Sequence, residues 1–213
     1  NTTGITHHRA IPMLTKVVEM CHERDVIFST RVSIDGVEDM HGKVRNVKRA
    51  FEKAGKTIKA MQELQKTHRF NFGISSTIFS KNLEDADNIL AWAKKEKHDI
   101  VFNMVRFTDA MLGNADLAAG MKPIGAEEQK MRKFFLDRVR QDPLLDGQNY
   151  IYMHYADMIA NGYHRTAPCP FMTQGIMLNP NGDLFFCENS DVVGNVIKED
   201  PEAIYFREDA QQH

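Results

Sequence analysis

The chain of 213 residues is poor in cysteine, in long apolar runs and in net charge, and each scarcity removes a class of function. Three cysteines, Cys21, Cys169 and Cys187, are too few for a disulfide scaffold and fit a reducing, cytoplasmic setting. No apolar run reaches the length of a membrane span, which argues against a membrane partner. The 27 basic and 29 acidic side chains leave a formal charge of -2 with no basic stripe, so nucleic acid is not expected as a partner. What remains, 42% hydrophobic and 26% charged, is ordinary globular composition with no sign of disorder.

The stretch around which the chain is organised is Arg31-Val32-Ser33-Ile34-Asp35-Gly36, followed by His41 and Arg45. An Asp-Gly pair after a strand usually turns a hairpin. Here no second strand follows; Val47, Phe51, Ala54, Ile58, Met61 and Leu64 recur at helical steps, which predicts one helix over 44–68. Strand, polar turn and helix form the unit, and in α/β folds ligands bind at the carboxyl ends of such strands.

The same unit repeats. Before it, Leu14, Val17, Val18 and Cys21 mark a helix from Pro12 to near Asp25. A strand over 26–34 alternates Val26, Phe28, Thr30, Val32 and Ile34 against Ser29, Arg31 and Ser33. A second alternates Phe70, Phe72, Ile74 and Ile78 against Asn71, Gly73, Ser75 and Thr77. Asn82 is expected as the N-cap of a helix through Lys95, and a third strand runs over 100–107. Strand-helix repeats predict a parallel sheet with helices on one face, hence a partial (β/α) barrel. The other face carries polar side chains where a packed barrel would carry branched apolar ones, so a polar cavity is expected.

Beyond residue 107 an irregular loop leads to two further helices, the second bearing Tyr150, Tyr152 and Tyr155, read as packing residues with solvated hydroxyls. After Gly162 the composition shifts. Cys169 and Cys187 flank a hairpin turning on Pro180-Asn181-Gly182, which gives expected domains of 1–162 and 163–213. Two cysteines alone do not complete a zinc or iron-sulfur site.

Val32-Ser33-Ile34-Asp35-Gly36 with His41, Arg45 and Phe51-Glu52-Lys53 resembles the middle of radical S-adenosylmethionine (SAM) enzymes. The segment from Cys169 to Cys187, with Asn179-Pro180-Asn181-Gly182-Asp183 inside it and Val193-Gly194-Asn195-Val196 after, resembles the start of their SPASM or twitch extension. Asn1-Thr2-Thr3-Gly4 is similar, with altered order, to the Thr-Asn-Gly loop ending the preceding barrel strand. The resemblance implies a partial barrel in which a 4Fe-4S cluster reduces SAM to a 5'-deoxyadenosyl radical that abstracts hydrogen, with a peptide or protein among the substrate classes. It implies that Ser33 and Arg45 contact SAM, that Asp35 holds the turn beside it, and that Cys169 and Cys187 ligate an auxiliary iron-sulfur cluster.

The family's C-x3-C-x2-C triad is absent from these residues, so the expectation is an internal fragment of a longer enzyme, inactive alone. Two other readings stand beside it: a non-catalytic peptide- or partner-binding module on the same barrel remnant, and a zinc hairpin using Cys169, Cys187 and His164.

Overall fold

The computed structural model describes residues 1–107, 114–141, 147–166, 175–187 and 190–207. The chain divides into two compact units, Asn1–Val105 with Met121–Ala156, and Arg106–Gly120 with Asp157–His213. The 162/163 boundary expected from composition falls inside the second unit.

The first unit is built on three parallel strands, β1 (Ser29–Ser33), β2 (Asn71–Ile78) and β3 (Ile100–Met104), in that spatial order. Val32 pairs with Ile74 and Ile74 with Ile100, so one face carries a continuous apolar row. On the far side of β1, Thr2 makes a parallel bridge to Val32: its N–H donates to Arg31 and its carbonyl accepts from Ser33, at 3.0 and 2.9 Å. The described strands form an open parallel sheet with one bridging residue. Barrel closure is not seen among them.

Helix α1 (His7–His22) starts five residues before the predicted start and so contains Pro12 in its interior. Only Val18 of its stripe is fully buried, against Met61 and Phe70. Val26 and Ile27, expected in β1, are 54% and 64% exposed and precede the ladder.

The single helix predicted over 44–68 is two, α2 (Asp39–Arg45) and α3 (Ala50–Leu64). Asn46 ends α2 in a left-handed conformation at φ 51°, and the Val47 N–H returns to the Gly42 carbonyl at 3.0 Å. Asparagine tolerates that conformation, and Lys43 and Arg45 in the last turn suit a helix terminus. The apolar spacing did not register the break because every residue of the stripe except Val47 belongs to α3. Ala54 and Ile58 of α3 pack on Val32, Ile34 and Ile74 with Trp92 at the margin.

After β2, a 3-10 turn at Ser80–Asp85 leads into α4 (Ala86–Lys95). Beyond β3, α5 (Ala118–Met121) replaces part of the expected irregular loop, whose residues 108–113 lie outside the described set. Helices α6 (Ala126–Gln141) and α7 (Gly147–Ala160) follow. Phe134 of α6 meets Phe102 edge to face at 4.9 Å, and Phe135 meets Tyr152 of α7 at 5.7 Å. The Tyr152 hydroxyl is buried, not solvated, and accepts the outer-edge N–H of Phe102 at 2.9 Å. Tyr150 stays 64% exposed.

In the second unit the expected hairpin gains a third strand. Strands β4 (Met177–Leu178), β5 (Asp183–Phe185) and β6 (Gly194–Asn195) pair antiparallel, and α8 (Pro201–Tyr205) follows. Leu184, Phe186, Val193 and Ile204 make its core. Asp200 caps α8 by accepting the Ala203 N–H at 2.9 Å, with Pro201 in the first turn.

Candidate functional site

Strand β1 delivers Ser33 and Asp35 to the carboxyl end of the parallel sheet. Ser33 sits beside Ser75 in register and is half-buried; its amide is committed to Thr2. Asp35, one residue past a wholly buried Ile34, is 3% exposed. A carboxylate that deep must be compensated.

The contacts that hold Asp35 come from three elements, β2, α2 and the 3-10 turn. One oxygen accepts the Thr77 N–H from β2 at 2.9 Å, and the other meets Arg45 Nη2 from the last turn of α2 at 2.5 Å. The Asp35 N–H donates to His41 Nδ1 at 3.0 Å, while its carbonyl accepts from Asn82 Nδ2 at 3.0 Å. Asn82 also donates to the Thr77 carbonyl at 2.8 Å and accepts the Phe79 N–H at 2.9 Å, so all of its polar edge is used. The Val37 N–H is taken by Asp85 at 2.6 Å. Two strand ends and the turns that leave them are thereby held as one body.

The titration of these groups follows. Burial raises the Asp35 pKa above the usual carboxylate value, opposed by the Arg45 charge and the Thr77 N–H. Burial, then the Arg45 charge, pushes His41 down to about 4. His41 is therefore neutral at physiological pH, and because Nδ1 accepts, the proton resides on Nε2. That Nε2 is buried with no hydrogen-bond partner, as is Arg45 Nε. Two unspent donors beside a solvent-reaching arginine are what a ligand carrying carboxylate or hydroxyl acceptors would use.

Of the sequence-predicted residues, the structure brings Asp35 and Arg45 into contact and leaves Ser33 one strand step away from them. Asn82, expected to cap a helix, is a buried three-way bridge: the turn after Phe79 is 3-10, and the side chain points back to the strand ends. His41 and Asn82 were not predicted as site residues. The one signal for His41 was its position in the polar segment after Gly36.

Cys187 lies two residues past β5 and is half-buried, its N–H donating to Ser190 Oγ at 3.1 Å. Cys169 lies outside the described residues. Among the described residues no group of three or more His, Cys, Asp or Glu side chains is disposed to hold a metal ion, and His164 is exposed. No described helix is long and apolar enough to cross a membrane.

The first unit, with helices on the apolar face of its parallel sheet, and the second, with its small antiparallel sheet, make the chain a mixed α/β protein. No protein-family model and no curated protein matches the sequence. Solved structures do match. Native anSMEcpe with bound AdoMet, a sulfatase-maturating radical SAM enzyme, aligns over 93% of this chain and 55% of its own at a TM-score of 0.56 and 11% identity. Native anSMEcpe with bound AdoMet and the Cp18Cys peptide aligns over the same shares at 0.54 and 11%. The chain spans about half the length of these structures, and at such identity the likeness is one of fold.

Proposed function

We propose that this chain is part of a radical SAM enzyme acting on a peptide or protein. Its first unit would contribute the SAM-facing part of a partial barrel, and its second the beginning of a SPASM-like extension. The observation that carries the reading is the fold likeness over 93% of the chain to a protein that binds AdoMet. The buried knot supports it, because it sits at the strand ends where α/β sheets bind ligands.

In this reading the Ser33 hydroxyl and the Arg45 guanidinium hold SAM. Arg45 offers a carboxylate its remaining nitrogens while Asp35 fixes the fork through Nη2. Asp35 is a positioning residue: it has spent both oxygens on Thr77 and Arg45. Neutral His41 presents a donor and no acceptor, which suits a ribose or carboxylate oxygen. Bound SAM, reduced by a 4Fe-4S cluster, would supply the hydrogen-abstracting 5'-deoxyadenosyl radical. Cys169 and Cys187 would serve an auxiliary iron-sulfur cluster in the extension.

Met13 and Met20 of α1, 69% and 45% exposed, are apolar surface of the kind the rest of a barrel would cover. The chain by itself is then expected to be inactive.

The test is a comparison after anaerobic iron-sulfur reconstitution. These 213 residues alone give no 5'-deoxyadenosine. The longer protein from the same reading frame gives it, and Ser33→Ala or Arg45→Gln in that protein weakens SAM binding by equilibrium dialysis. SAM cleavage by the chain alone would sink the fragment reading. Unchanged SAM affinity in both variants would sink the residue assignment.

A further inference from the structure

A cavity of about 550 Å³ lies at the amino-terminal end of the parallel sheet, the opposite end from Asp35. Arg31 and Asp99 form its floor, Asp99 immediately preceding β3; α4 gives Lys94, α6 gives Arg138, and α7 gives Gln148 and Tyr152. The volume is in the range of small-molecule sites.

Its charge is lopsided. Three cations and one carboxylate line it. That carboxylate is already engaged, since Arg31 Nη2 meets Asp99 at 2.7 Å while Arg31 Nη1 donates to the Ile74 carbonyl at 3.1 Å. Lys94 and Arg138, on two different helices, are left facing the cavity. Lys94 has only a long 3.4 Å contact to the Gln141 amide oxygen. Arg138 stacks its Cζ 5.0 Å from the Phe134 ring centroid, and its Nε is buried with no hydrogen-bond partner.

A buried guanidinium nitrogen without an acceptor is costly, and here it borders a cavity that has room for one. Asp87 of α4 and Asp137 of α6 act on Arg138 from outside the lining, and Asp137 is bridged by Lys133 and Arg140. Neither closes the cavity.

We propose that this cavity binds a small phosphorylated metabolite. Lys94 and Arg138 clasp the phosphate, and Gln148, whose side chain also hydrogen-bonds the Tyr152 hydroxyl, meets a hydroxylated body. Lys94 and Arg138 together match the charge of one phosphate monoester, and Arg138 supplies a planar fork for its oxygens. A neutral polyol would leave Lys94 and the Arg138 Nε without an anionic acceptor. The site rests on the first unit alone and does not depend on the proposed SAM chemistry at the other end of the sheet.

The probe is ribose 5-phosphate titrated calorimetrically into the 213-residue chain, with ribose and succinate as controls. The expected result is saturable one-to-one binding of ribose 5-phosphate that is on the order of tenfold weaker in Arg138→Gln and about threefold weaker in Lys94→Gln. Should Arg138→Gln fail to fold by circular dichroism, the exposed Lys94→Gln variant carries the decision. The proposal is overturned by no saturation up to about 10 mM, by ribose or succinate binding as well as the phosphate, or by wild-type affinity in Lys94→Gln.

Discussion

Asp35-Gly36 and Asn181-Gly182 are the same kind of dipeptide in two environments, and they work by different physics. At Asn181-Gly182 the turn is closed locally. Asn179 Oδ1 accepts from the N–H groups of Asn181 and Asp183, and Gly182 adopts φ 85°, the left-handed region that favours glycine. At Asp35-Gly36 the partners come from 42 and 47 residues away, and Gly36 is needed for space: a Cβ there would stand 2.6 Å from the His41 backbone nitrogen.

The two carboxylates respond in opposite directions. Burial raises Asp35, whereas hydrogen bonds from Asn195 and Asn179 lower surface Asp183. A turn held by its own neighbours shapes a hairpin. A turn held by a neighbouring strand fixes Asp35 against Arg45 at the end of the sheet.

Variants can break this contrast. The largest effect is expected from Asp35→Ala, which strands Arg45 and the Thr77 N–H. Urea denaturation should show a loss of about 4 kcal/mol, and a loss under 1 kcal/mol would mean that the pair is solvated.

Next comes acid sensitivity. The His41 pKa is lower folded, about 4, than its ordinary 6.5, so between those values the unfolded chain binds the extra proton. Its contribution is complete above pH 6.5 and drains away as pH falls toward 4, by roughly 3 kcal/mol in all. His41→Gln keeps an acceptor for the Asp35 N–H but does not titrate, and should flatten that slope in stability curves taken across the window.

Gly36→Ala should cost about 2.5 kcal/mol through overpacking against backbone, with thermal unfolding as the readout. Asn82→Ala, which unpairs two buried carbonyls and the Phe79 N–H, should cost about 2 kcal/mol. Asn82→Asp should be worse still, since it removes the donors and adds a charge beside Asp35. The mildest is Gly182→Ala at about 1 kcal/mol, because the strain is local and the nearest obstacle is the mobile end of Ile197. If Gly182→Ala proves costlier than Gly36→Ala, the distinction between a local and a tertiary turn is lost.

Period-two alternation in β1 and β2 was readable because one face of each is buried without interruption, as Val32, Ile34, Ile74 and Ile78 show at 0% exposure. The amphipathic stripe of α3 was readable for the same reason. The break at Asn46 was missed although its signal was present, an asparagine after basic residues, because every residue of the apolar stripe except Val47 belongs to α3. Asn82 was misread because an N-cap and a buried bridge use the same side chain and differ only in what lies nearby. The third strand of the small sheet, Gly194–Asn195, is too short to leave a pattern.

Local order, the strand-turn-helix repeat and the presence of Ser33, Asp35 and Arg45 near a strand end were written in the sequence, because side-chain period and turn chemistry act over a few residues. Only the tertiary structure decided that Asp35 is buried, that Thr77 and Asn82 close on it from the neighbouring strand, and that Lys94 and Arg138 share a cavity. Those facts depend on which distant groups displace water from one another, and no short stretch of sequence records that.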